Sequence, residues 1–98
     1  MLFAVLFTDI ANSGELRTQF LQAHIEWLEM NKEIILIGGS LRLDLGETPK
    51  GGLWIARANS KEQLDKIIKT DPFYIAGLRQ SYEILYWSKS NSQRKELI

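Results

Sequence analysis

The chain has no cysteine in its 98 residues, so disulfide staples, thiolate nucleophiles and cysteine-ligated metals are excluded from the outset. It has one histidine, His24, which together with the missing thiols leaves a metal centre only carboxylates to draw on. Asp9, Asp44, Glu47 and Asp71 show no ligand spacing, and no metal or cofactor is expected. There is no excess charge of either sign, with 12 basic and 12 acidic side chains, so nothing favours nucleic acid or an anionic membrane as partner. Long apolar runs are also missing. The stretch from Leu2 to Phe7 soon meets Asp9, has no basic lead-in, and is too short for a signal peptide or a membrane span. A cytoplasmic setting is expected.

What remains is an ordinary globular composition, 45% apolar and 24% charged, at a length that suits one domain, residues 1–98. Met1 to Asp9 reads as a buried strand. Asn12-Ser13-Gly14 breaks it and offers Ser13 as a helix cap, with Glu15 placed well for the helix dipole. From Glu15 to Lys32 the period is helical, with Leu16, Phe20, Ala23, Trp27, Leu28 and Asn31 on one stripe. Ile34 to Ile37 is a second strand ended by Gly38-Gly39 and resuming through Ser40 to Leu43. The segment Asp44 to Gly52 is a glycine-rich loop, and Leu53 to Arg57 a third strand. Ser60-Lys61-Glu62-Gln63 is a capping box whose helix stops before Pro72. Pro72 to Gly77 allows one more helical turn, Tyr82 to Ser88 is the last strand, and Lys89 to Ile98 is a polar tail or arm. The order β-α-β-β-α-β defines an α+β ferredoxin-like sandwich, an antiparallel four-stranded sheet with two main helices on one face.

Two helices cover one face of such a sheet. The other face should then alternate with polar residues, yet the strands are apolar on both sides. Phe3, Val5 and Phe7 oppose Leu2, Ala4 and Leu6; Ile34 and Leu36 oppose Ile35 and Ile37; Leu85 and Trp87 oppose Ile84. Packing two sheets face to face in a homodimer would remove that surface from water; the alternative is that the tail from Lys89 covers it within one chain.

Among groups that do chemistry, His24 alone has an ordinary pKa near neutrality. A helix histidine near the apolar stripe is most simply a core-edge residue. Against that stands Asp71, an acid at a helix end before proline. Both helices lie on the same side of the sheet, so the two residues can approach, and an aspartate on one ring nitrogen fixes the tautomer and frees the other nitrogen to move a proton. Asp71 has a simple alternative role as a turn initiator. No Gly-x-Ser-x-Gly elbow supports a hydrolase, and no helix follows Gly38-Gly39 to make a dinucleotide fingerprint. RNA-recognition domains share the element order. Here Lys50-Gly51-Gly52-Leu53-Trp54-Ile55-Ala56-Arg57 keeps one of their stacking aromatics, with Gly52 and Arg57 at the other two positions.

The strand ending in Asp9, Arg17, the segment His24-Ile25-Glu26-Trp27-Leu28, Gly38-Gly39 and above all Asp71-Pro72-Phe73-Tyr74-Ile75-Ala76-Gly77 resemble the YciI-like (YCII-related) family of dimeric α+β barrels. The resemblance implies sheet-to-sheet dimers, a cleft between helices and sheet, and a histidine–aspartate centre at His24 and Asp71. Some relatives resemble muconolactone isomerases, and one branch is associated with dehydrochlorination of a chlorinated muconolactone. The family often has Gly-Pro where this chain has Gly39-Ser40, and a basic residue where it has Leu21. The expected function is cofactor-free proton transfer, of lyase or isomerase type, on a small cyclic or carboxylated compound. Arg17 and Ser40 are candidate substrate contacts. The alternative is a non-catalytic small-molecule binding protein using the same cleft.

Overall fold

The computed structural model describes residues 1–90. Seven elements follow in chain order: β1 (Leu2–Asp9), α1 (Gly14–Met30), β2 (Ile35–Leu41), β3 (Gly51–Arg57), α2 (Lys61–Ile68), α3 (Pro72–Ile75) and β4 (Arg79–Tyr86). The strands form one antiparallel sheet in the order β2-β3-β1-β4, the ferredoxin-like arrangement expected. Most of the tail expected from Lys89 onward, residues 91–98, lies outside the described residues.

Alternation along β1 sends Phe3, Val5 and Phe7 beneath the helices, where they meet Trp54 and Ala56 of β3 and Leu64 and Ile68 of α2. Ser60 caps α2 as its motif requires: its hydroxyl accepts from the Gln63 N–H at 3.1 Å, and the Gln63 side chain returns a bond to the Asn59 N–H at 2.7 Å. α3 begins at Pro72 and ends before Gly77, whose φ of +83° is the left-handed conformation that lets the chain leave a helix.

Several boundaries differ from the sequence reading. β2 runs unbroken through Gly38-Gly39, because the paired β3 supplies ladder bonds that offset glycine's conformational cost. β3 starts at Gly51 and β4 at Arg79, both earlier than expected, since their partner β1 extends the ladder. A bulge between Ile35 and Ile37 breaks the strict alternation: Ile35 pairs with Ala56 on the helix-covered face and Ile37 with Ile55 on the opposite one. On α1 the buried positions are His24 and Trp27, while Ala23, expected in the stripe, is exposed. Ser13 stands at the N-cap of α1, but its hydroxyl makes no capping bond. The uncovered sheet face carries exposed apolar residues from its central strand β1 out to both edge strands, with Leu6 39%, Ile37 49%, Leu41 41% and Leu85 43% exposed.

A polar contact closes the far side of the helix layer. Tyr82 donates its hydroxyl to Asp65, which also pairs with Lys69 at 3.0 Å. Burial, then the bond to Asp65, raises the Tyr82 phenol above its ordinary 10.0, while the Tyr82 bond holds Asp65 below its ordinary 3.8. The tyrosine contribution to stability is therefore complete below pH 10 and declines as the unfolded chain ionises above it. The aspartate contribution is complete above pH 3.8 and declines as the medium becomes more acid. Tyr82→Phe is expected to cost roughly 1 kcal/mol at neutral pH and to flatten both slopes. Urea unfolding across pH measures this, and unchanged slopes would show that the pair contributes nothing.

Candidate active site

α1 is placed over the sheet by two bonds, one helical turn apart. Trp27 Nε1 donates to Thr70 Oγ1 at 3.0 Å, and His24 Nδ1 meets Asp71 Oδ1 at 2.7 Å. Thr70 and Asp71 lie in the turn between α2 and α3, so the sequence-distant pair His24 and Asp71 is joined where the two helical segments converge. Asp71 is 1% exposed and caps α3, the same Oδ1 accepting the Phe73 N–H at 3.0 Å. Phe73, thereby fixed, lies on the imidazole with ring centroids 4.0 Å apart and planes at 14°. The histidine is thus held by a carboxylate at its edge and a ring on its face.

With Asp71 ionised, the shared bond requires a proton on Nδ1, which leaves the lone pair on Nε2. Nε2 has no partner among the described residues, and the ring lines a cleft of about 170 Å³. Leu21, Ile25 and Leu28 of α1 form one wall. Gly38, Gly39 and Gly52 form a floor without side chains. A Cβ on Gly52 would stand 3.1 Å from the Gly39 carbonyl and 3.5 Å from the Arg79 guanidinium, so glycine there lets the arginine lie close to the sheet.

Arg17 and Arg79 complete the cleft, and one buried carboxylate organises both. Asp9 accepts Arg17 Nη2 on Oδ2 at 2.6 Å and Arg79 Nη1 on Oδ1 at 2.8 Å. Arg79 also lies over Phe7, 4.2 Å from its centroid, and both guanidiniums lie over Phe73 at 5.2 and 5.3 Å. Burial pulls the Arg79 guanidinium below its ordinary pKa, while the bond and charge of Asp9 act in the opposite direction. Arg17 Nε, Arg79 Nε and Asp71 Oδ2 are buried and have no partner among the described residues. Such orphans are rare in a finished core, and two of the three belong to Arg17 and Arg79, which line the cleft.

The structure therefore brings together His24, Asp71 and Arg17. Ser40 stands on β2 opposite Gly52, exposed, where its hydroxyl accepts a bond from Arg42 at 2.9 Å; it is not a wall of the cleft. Sequence reasoning missed Arg79, and it gave Asp9 no role in the site. The Asp9–Arg79 bond spans 70 residues, and no local period can announce it. Among the described residues, no cluster of three or more His, Asp and Glu side chains could hold a metal ion.

These features define a small α+β domain with a histidine–carboxylate pair beside two arginines. The YCII-related domain model matches residues 1–88, and the chain belongs to that family. Among solved structures it is similar to 5-chloro-2-hydroxyhydroquinone dehydrochlorinase (TftG) from Burkholderia phenoliruptrix AC1100, in complex with 2,5-dihydroxybenzoquinone. The two share 29% identity over 90% of this chain and 94% of that one, with a TM-score of 0.81. No curated protein sequence matches. No described helix is long and apolar enough to cross a membrane.

Proposed function

We propose that the protein is a cofactor-independent enzyme of lyase or isomerase type, in which His24 moves a proton on a small cyclic compound bearing acidic oxygens. The observation that carries this reading is the 2.7 Å bond from His24 Nδ1 to a buried Asp71. It leaves Nε2 as the proton acceptor on the cleft side. The neighbour's dehydrochlorinase activity and its quinone ligand support the same substrate class.

In this scheme the substrate lies between the Gly38–Gly39 floor and α1, with an acidic or carbonyl oxygen toward Arg17 and Arg79. Asp9 occupies one donor nitrogen on each guanidinium, and the remaining N–H groups serve the ligand. Nε2 takes a proton from a carbon next to the carbonyl, and the electron pair moves onto that oxygen, where the guanidiniums stabilise it. Asp71 stabilises the imidazolium. Collapse of the enolate then expels a leaving group such as chloride, giving elimination. Return of the same proton to a different carbon gives isomerisation.

The test is turnover on chlorinated hydroxyhydroquinones and small lactones by wild type and His24→Ala. A rate lower by about 10²–10⁴-fold in the variant is expected. Equal rates would sink the catalytic reading, and ligand binding without turnover would establish a binding protein instead.

Ferredoxin-like sheets with an apolar outer face bury it against a second copy, and the exposure of Leu6, Ile37, Leu41 and Leu85 supports a homodimer through that face. Light scattering should give twice the 11.3 kDa chain mass, and Leu6→Lys should shift it to the monomer. A monomeric wild type at micromolar concentration would refute the dimer. A cytoplasmic setting agrees with the absence of cysteine.

A further inference from the structure

A second cavity, of about 300 Å³, opens at the first turn of α1 and shares no lining residue with the His24 cleft. Its walls include Asn12, Ser13 and Gly14 on one side and Thr48, Pro49 and Lys50 on the other. The N–H groups of Gly14, Glu15 and Leu16 find no acceptor among the described residues, as the opening turn of a helix dictates. A helix start alone is no site. Ser13 supplies the independent observation: it is 3% exposed, lines this cavity, and its hydroxyl makes no hydrogen bond among the described residues. A buried serine at an N-cap ordinarily spends its oxygen on the second or third amide, but with φ −91° and ψ 5° its backbone is not the extended one that capping uses.

Lys50 faces the same space. Its backbone is fixed on both sides, the carbonyl accepting from Asp9 N at 2.9 Å and the amide donating to Leu41 O at 2.8 Å. Its ammonium forms no bond or ion pair among the described residues. Asp9 also lines the cavity, but its buried carboxylate is already held by two arginines, and Glu15, the one acid in the first turn, is exposed.

The geometry points to a binding site for a phosphate-type oxyanion, held by the Gly14–Leu16 amides, the Ser13 hydroxyl and the Lys50 ammonium. Such an anion needs donors from several directions, and backbone, hydroxyl and ammonium provide them. The cavity takes either free phosphate or the phosphoryl group of a larger ester.

Titration of the full chain with inorganic phosphate, and separately with glycerol phosphate, tests this by amide NMR against sodium chloride at matched ionic strength. Saturable shifts at Gly14, Glu15, Leu16 and Lys50 are expected. Tighter binding of the ester would identify a phosphoryl anchor, and tighter binding of phosphate a free-ion site. Ser13→Ala and Lys50→Ala should each weaken binding about tenfold. Ser13→Ala should leave the unfolding midpoint unchanged, because the hydroxyl caps nothing. Equal shifts with chloride, undiminished affinity in both variants, or shifts centred on Arg17 and His24 would each overturn the site.

Discussion

Asp9→Asn is expected to lower the unfolding free energy by about 3–5 kcal/mol. Asp9 has a fully buried carboxylate, and its two oxygens serve two different arginines. Asparagine keeps one acceptor but not the charge, so both guanidiniums lose their counterion. Arg17 has some access to solvent and can relax toward it. Arg79, with its side chain 3% exposed, cannot, and carries most of the penalty. The loss arises from stranding a cation, so removing that cation as well should restore stability. Asp9→Asn with Arg79→Met is expected to recover more than half of it. Urea unfolding of the wild type, the two single variants and the double variant provides the cycle. A single-variant cost below roughly 1 kcal/mol would show that solvent reaches the pair.

Asp71→Asn is expected to leave the fold intact while reducing turnover by about 10²–10⁴-fold. A neutral amide no longer demands a proton on Nδ1. Turned so that its NH₂ group meets Nδ1, it places the imidazole proton on Nε2, removes the lone pair from the cleft and gives up the α3 cap, because Oδ1 serves both partners. Nitrogen-15 shifts of the imidazole read this without any substrate. In the wild type Nε2 should give the signal of a bare ring nitrogen and Nδ1 that of a protonated one, and the substitution should mix or reverse them. If the ring shifts stay as they are while turnover falls, Asp71 acts otherwise than through the tautomer.

How much of this was readable in advance depended on the range of each interaction. The α2 capping box and the stop before Pro72 are local rules, and both elements formed where those rules put them. The first strand, an uninterrupted apolar run, was equally legible. The His24–Asp71 pairing needed more: element order placed the two residues on the same side of the sheet, and the Asp-Pro-Phe segment singled out the aspartate. The bulge after Ile35 was hidden because a run of isoleucines reads the same in either register. Only pairing with β3 shows which of them turn inward. Asp9 looked like a strand end, and no local pattern marked Arg79. Their roles come from a contact that the folded sheet creates. Ser13 stands at the N-cap as its residue type suggested, but its backbone is not extended there and its hydroxyl makes no capping bond.

The shared oxygen of Asp71 gives the protein a property that can be read from one amide. A four-residue helix has little standing of its own, and the α3 cap that holds it is made by the same atom that tethers the histidine. Loosening of this short helix and release of the imidazole should therefore be a single local event. The exchange rate of the Phe73 amide proton then becomes a clock for how often the imidazole is out of position.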